Sequence, residues 1–108
     1  MAKVPAFPDI MLDTLCFHAQ QAVEKSIKAV LISNDIPFPR THYIDLLIDL
    51  LPADTPRPPD DAEVVELTQY AVTIRYPGLD EPMTQEEYQK AVRLAESVVK
   101  WAEGLLAS

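Results

Sequence analysis

Apolar side chains recur every three or four residues along two long segments of the chain, residues 9–33 and 84–106. A helix advances by about 100° per residue, so this spacing gathers the apolar residues on one side of a helix. No part of the sequence shows the strict alternation that is typical of a β-strand. The pattern therefore predicts a helical protein built on two long amphipathic helices. The apolar or small residues of the first helix are Leu12, Leu15, Cys16, Ala19, Ala22, Val23, Ile27 and Val30.

Prolines divide the rest of the chain. The 10 prolines fall in four clusters, and each cluster marks a place where a helix is interrupted. We predict an extended lead-in at residues 1–8, a break at residues 37–39, an irregular and mobile surface loop at residues 52–61, and a further break after Tyr76. With 108 residues, the chain has the size of a single domain spanning 1–108.

Two shorter helices fit between these breaks. The second helix is predicted from about His42 to Leu51, capped by Thr41, and its six apolar residues suggest that it is mostly enclosed. The third helix is predicted from about Ala62 to Tyr76. A capping box at Thr84 and Glu87 predicts the start of the fourth. The fold class predicted from these elements is all-α, an antiparallel bundle of four main helices.

The first helix carries a second group of apolar residues. Phe17 and Leu31 project away from the main apolar stripe, among Gln20, Glu24 and Lys28. A helix that already has a complete stripe does not need these residues for one core. We therefore predict a second buried face, with a dimer contact as one explanation.

Charge and composition exclude several classes of protein. The net charge of −8 opposes generic binding to nucleic acid, since phosphate backbones attract positive surfaces. The single cysteine, Cys16, excludes an internal disulfide and is typical of a reducing compartment, so we expect a cytoplasmic protein. No apolar run is long enough to span a membrane. His18 and His42 lack carboxylates at the spacing of a zinc site, and we expect neither a metal nor another cofactor.

The segment from Arg40 to His42 combines a guanidinium, a hydroxyl and an imidazole at a predicted helix N-terminus. Free N–H groups and the helix dipole favour an anion at such a position, so a phosphate group would fit there. The alternative is that Thr41 only caps the helix while Arg40 is solvated.

Further residues on the first, third and fourth helices could be either structural or functional. Arg75 projects from the predicted core side of the third helix, where a charge needs a partner, although an arginine in a last helical turn also complements the dipole. His18 and Gln21 lie at the border of the first stripe and, taken singly, are interpreted as structural. Leu94 and Trp101 are interpreted as packing residues of the fourth helix.

Three linked blocks of the sequence resemble the HEPN domain family. They are CFHAQQAVEK at residues 16–25 with Lys28, PRTH at 39–42, and YAV at 70–72 with RYP at 75–77. Their order and spacing, followed by a helix near Trp101, cover roughly residues 12–106. Three blocks in this order are more specific than any one of them.

The resemblance implies a helical bundle that commonly dimerises and is often encoded beside a minimal nucleotidyltransferase, in toxin–antitoxin or stress-response pairs. It also implies nucleotide binding. The leading hypothesis is a non-catalytic, homodimeric HEPN binding module that pairs with a nucleotidyltransferase-type protein. The candidate nucleotide and phosphate contacts are Arg40, Thr41, His42 and Arg75, with Tyr76, His18, Gln21 and Lys25 from the blocks that carry the resemblance.

The chain departs from the family pattern in two ways. Many HEPN members are metal-independent ribonucleases that use an Arg, four to six intervening residues and a His, and no arginine here is followed by a histidine at that distance. Relatives usually have an acidic helix before the block that begins at Cys16, and here a short Pro-containing lead precedes it. Two alternatives stay open: a ribonuclease that combines His18 or His42 with Arg75 in an unusual arrangement, and a purely structural dimerisation scaffold.

Overall fold

Helices form all the regular structure in the part of the chain that the computed structural model describes, residues 7–72 and 84–107. The predicted all-α fold with four main helices is confirmed, if residues 61–72 are counted as one helical segment. The elements are α1 (Phe7–Ser33), α2 (Ile44–Asp49), α3 (Asp61–Val65), a 3₁₀ turn (Glu66–Thr68), α4 (Gln69–Val72) and α5 (Gln85–Leu106).

Helix α1 begins at Phe7, two residues before the predicted start. Pro8 therefore lies in the first helical turn and not in an extended lead-in; a proline is tolerated there because that N–H has no intrahelical partner. Residues 1–6 of the predicted lead-in lie outside the described residues. The helix ends before the prolines are reached, since Asp35 takes a left-handed conformation with φ of 57° and Ile36 N–H donates to the Leu31 carbonyl at 2.9 Å.

The buried side of α1 is wider than the apolar stripe. Val23 and Ile27 are fully buried, as predicted, and Leu31 is fully buried beside them in the core of the same chain. Gln20 and Glu24 are also buried, with exposures of 0% and 4%. The second buried face is thus confirmed, but Leu31 contributes it to the core of its own chain and is not available to a dimer contact. Phe17 remains 39% exposed.

Helix α5 makes the most extensive packing contact of α1. The C-terminal ends of both helices border one cleft, lined by Val30 and Ser33 on one side and by Leu105 and Leu106 on the other. The two helices therefore run in the same direction, so the antiparallel arrangement predicted for the bundle is wrong for this pair. The capping box is confirmed, because the Thr84 hydroxyl accepts the Glu87 backbone N–H at 3.1 Å.

Helix α2 is shorter than predicted. It begins at Ile44, and Thr41 does not cap it: the Thr41 hydroxyl accepts the N–H of Tyr43, just before the helix, at 3.0 Å. Ile44, Leu47 and Ile48 are buried, whereas Leu46 is 48% exposed, so the expectation of a mostly enclosed helix is only partly met. A helix of six residues has one core side, and Leu46 lies away from it.

The segment 61–72 runs antiparallel to α5. The Lys90 ammonium of α5 lies 3.6 Å from Glu63, while the Trp101 indole, a further three turns along, reaches the loop before α3. A 3₁₀ turn separates α3 from α4, and its Thr68 hydroxyl accepts the Ile44 N–H at 3.1 Å. The part of the predicted third helix beyond Val72, and the break after Tyr76, lie outside the described residues.

The loop before α3 has no regular structure but has fixed contacts. The Trp101 indole N–H donates to the Pro56 carbonyl at 2.9 Å, and Pro58 is buried. Leu94 is buried and Trp101 packs against the core, which confirms both as packing residues. Among the described helices, none combines the length and the apolar character needed to cross a membrane.

Candidate functional site

A buried carboxylate is the most unusual feature of α1. Glu24 and Gln20 lie one turn apart on the helix, and both are enclosed by the bundle. The Gln20 amide donates to a Glu24 oxygen at 2.8 Å, and the Lys28 ammonium lies 2.6 Å from the other Glu24 oxygen. Residues four apart lie on the same side of a helix, so the 20–24–28 spacing forms this series. A buried charge needs such partners to be tolerated.

His42 brings a second chain segment to this carboxylate. Its ring Nδ1 lies 3.0 Å from the Glu24 Oε2 atom, and its backbone carbonyl accepts a long hydrogen bond of 3.4 Å from Gln20. The His42 side chain is nevertheless 55% exposed. One edge of the ring is therefore anchored on α1, and the rest of it faces solvent.

The surroundings of Glu24 set its ionisation. Burial alone would raise the pKa of this carboxyl, but the hydrogen bonds from Lys28, His42 and Gln20 outweigh burial and hold the pKa below the ordinary value of 4.5. Glu24 is therefore a carboxylate at neutral pH. In that state it only accepts hydrogen bonds.

The backbone next to His42 is fixed by two hydroxyl groups. Thr41 binds the Tyr43 N–H, and Thr68 binds the Ile44 N–H from the 3₁₀ turn. These hydrogen bonds occupy two of the backbone donors that were expected to attract an anion at the start of α2, those of Tyr43 and Ile44. The side chains of Arg40 and His42 are the cationic or potentially cationic groups of this chain segment.

Family membership follows from a comparison with protein-family models. The model described as "HEPN domain" matches residues 6–105, which is most of the chain. The chain belongs to the HEPN domain family. Neither the curated proteins nor the solved structures include a significant match.

Three of the predicted contacts of this HEPN domain lie together at residues 40–42. The Arg40 side chain is exposed, and no partner for its guanidinium occurs within residues 7–72 and 84–107. Thr41 and His42 have the contacts given above. Gln21 reaches the same cluster, because its amide donates to the Gln20 side-chain oxygen at 2.8 Å.

The other predicted contacts are not brought to this cluster within the described residues. His18 and Lys25 are exposed on a different side of α1, and the His18 ring contacts Phe17 at 6.1 Å between ring centroids. Arg75 and Tyr76 lie outside the described residues, so their relation to His42 stays a prediction.

Sequence reasoning missed Glu24 and Gln20 as members of the site. Their spacing with Lys28 was visible in the sequence, but it is equally typical of an exposed helix face. The contacts of His42 with Gln20 and Glu24 distinguish this face from an exposed one. No group of three metal-binding side chains occurs in the described parts of the chain.

A cleft with a volume of about 170 Å³ lies between the 61–72 segment and α5. Its rim carries Glu63, Glu66 and Glu87 around Lys90. Lys90 is within 4 Å of two of these carboxylates, so the cleft is a surface ion-pair network. It does not include Arg40 or His42.

Proposed function

We propose that this chain is a non-catalytic HEPN binding module that takes the phosphate group of a nucleotide at the surface formed by Arg40, Thr41 and His42. The observation that supports the proposal is the anchored imidazole: Glu24 holds one edge of His42, and the exposed part of the ring faces outward two residues from Arg40. A guanidinium and an imidazole are the side chains that recognise phosphate through charged hydrogen bonds. Arg75 and Tyr76 complete the proposed contacts.

Calorimetric titration with ATP, ADP and AMP at physiological salt tests the ligand. Charged hydrogen bonds contribute about 1.5–3 kcal/mol, so Arg40→Ala is expected to weaken binding by about 10- to 100-fold. Arg93→Ala is the matched control, because Arg93 is an exposed arginine on α5. Absence of heat with the wild-type protein at millimolar nucleotide would remove this part of the proposal.

The proposed assembly is a homodimer. It rests on the family resemblance and on Phe17, which remains partly exposed on α1 after Leu31 has entered the core. Light scattering between micromolar and submillimolar concentration is expected to give twice the monomer mass, and Phe17→Glu is expected to lower it. A monomer mass over the whole range contradicts the homodimer.

The proposed protein partner is a nucleotidyltransferase-type protein of a toxin–antitoxin or stress-response pair, and it rests on the resemblance alone. A nucleotidyltransferase gene next to this one, followed by co-purification of the two products, is the expected result. If the neighbouring genes encode no such protein, the scaffold alternative gains weight.

A second candidate function is RNA cleavage. The observation that favours it is the Glu24–His42 pair, because a carboxylate that orients an imidazole is a common arrangement for a general base. Labelled RNA would be incubated with wild-type and His42→Ala protein in the presence of a chelator. Cleavage that disappears in the variant would establish an enzyme and replace the binding-module proposal.

A further inference from the structure

The two nitrogens of the His42 ring have different surroundings. Nδ1 faces the Glu24 carboxylate at 3.0 Å, whereas Nε2 has no hydrogen-bond partner in the described part of the chain. Which nitrogen of an imidazole carries the proton is set by the hydrogen bond that the other nitrogen makes. The contact between Glu24 and Nδ1 therefore affects whether Nε2 of His42 is a donor or an acceptor toward a ligand.

The Glu24 carboxylate can accept but not donate in this arrangement. Its Oε1 atom is 2.6 Å from the Lys28 ammonium, and its Oε2 atom receives the Gln20 amide at 2.8 Å. Both contacts supply donors, which favours the ionised form of the buried carboxyl. The atom that faces it from His42 must then be a donor too, namely Nδ1–H.

We propose that Glu24 is a positioning residue for His42: it fixes the ring in the Nδ1–H form and directs Nε2 toward the ligand side of the 40–42 surface. The ligand part of this inference rests on the proposed function, whereas the form of the ring does not. The charged groups near His42 are Arg40 on its own chain segment and Glu24 and Lys28 on α1.

This arrangement has a consequence for phosphate binding. In the neutral Nδ1–H ring, Nε2 carries a lone pair and accepts hydrogen bonds, but a phosphate oxygen needs a donor. A neutral Nδ1–H ring therefore donates to a phosphate oxygen only if Nε2 also takes up a proton. Nucleotide binding by the neutral form of the ring is expected to be accompanied by proton uptake.

Nitrogen-15 NMR of the histidine rings at pH 8 tests the form of the ring in the free protein. His42→Asn identifies the His42 signals, and the wild-type protein is expected to show protonated Nδ1 and unprotonated Nε2. A wild-type ring that is protonated mainly at Nε2, the form that free histidine prefers, overturns the proposal. This result needs no ligand.

Glu24→Gln tests the role of the carboxylate. A glutamine amide can either accept from Nδ1–H or donate to unprotonated Nδ1, so the Nε2–H form is expected to become populated. Glu96→Gln is the control, because Glu96 is an exposed glutamate of α5 and is expected to leave the His42 spectrum unchanged. A Glu24→Gln protein that folds and keeps the wild-type ring spectrum contradicts the proposal.

Calorimetry with ATP at pH 8 in two buffers of different ionisation heat tests the ligand consequence. Where the ring spectrum shows His42 of the wild type to be neutral, that protein is expected to take up close to one proton per nucleotide. Glu24→Gln is expected to take up markedly less, since its Nε2–H form can donate without a proton from the buffer. Binding without proton uptake by the wild type overturns the inference but not the proposed function. Absence of any binding refutes the proposed function, and the ring spectrum then decides the inference alone.

Discussion

Replacing Glu24 by alanine is expected to destabilise the domain more than a surface glutamate would. The change leaves the Gln20 amide, which is fully buried, with only its long contact to the His42 carbonyl. A buried polar group without a good partner costs about 1–3 kcal/mol. The Lys28 and His42 side chains are 23% and 55% exposed, so water replaces part of what they lose and they add only about 0.5 kcal/mol each.

The total expected loss is about 2–4 kcal/mol, which corresponds to a decrease in Tm of roughly 8–16 °C for a domain of this size. Urea denaturation followed by circular dichroism measures it. Glu96→Ala is the matched control, because it has the same gain in helix propensity on an exposed position and is expected to change stability by less than about 0.5 kcal/mol. Equal stabilities of the two variants would show that the Glu24 carboxylate is hydrated and that the reasoning about its burial is wrong.

The same denaturation assay checks three further expectations. Ile27→Ala opens a cavity in the core and should lower the free energy of unfolding by about 3–4 kcal/mol. Ile32→Ala on the same helix, at a position 64% exposed, should lower it by less than about 0.5 kcal/mol. Similar losses for the two variants would contradict the core assignment. Thr84→Ala removes the acceptor of the Glu87 N–H and should cost about 1 kcal/mol, which Thr84→Ser should restore. Because the pKa of Glu24 is lowered in the folded state, its ionisation stabilises the protein at neutral pH, and this contribution should decline as the pH falls below 4.5. Glu24→Gln should remove that part of the pH dependence, and an unchanged profile would count against the ion pairing.

The two long helices could be predicted from the sequence because each repeats its apolar spacing over several turns. Thr84 also identified the start of α5 correctly, since a capping box depends only on neighbouring residues. The shorter elements were less accurate. Helix α2 begins at Ile44 because tertiary hydrogen bonds fix the preceding residues, and no local signal shows the Thr68 hydroxyl that binds its first N–H.

The candidate site was only partly predictable for a related reason. Arg40 and His42 could be found as polar residues near a helix start, but the contacts of His42 with Gln20 and Glu24 join segments about 20 residues apart. A glutamate between a glutamine and a lysine at four-residue spacing normally lies in water. Whether such a glutamate is buried or lies in water is decided by how the rest of the chain packs against its helix.

The pairing of α1 with α5 has a consequence for synthesis of the chain. The largest helix contact joins the first helix to the last one, so the apolar side of α1 stays uncovered while the ribosome is still making residues 85–106. Residues 44–72 can assemble on α1 earlier, but they leave the face that α5 occupies open. A nascent chain stalled before Gln85 is therefore the species that chaperones should recognise.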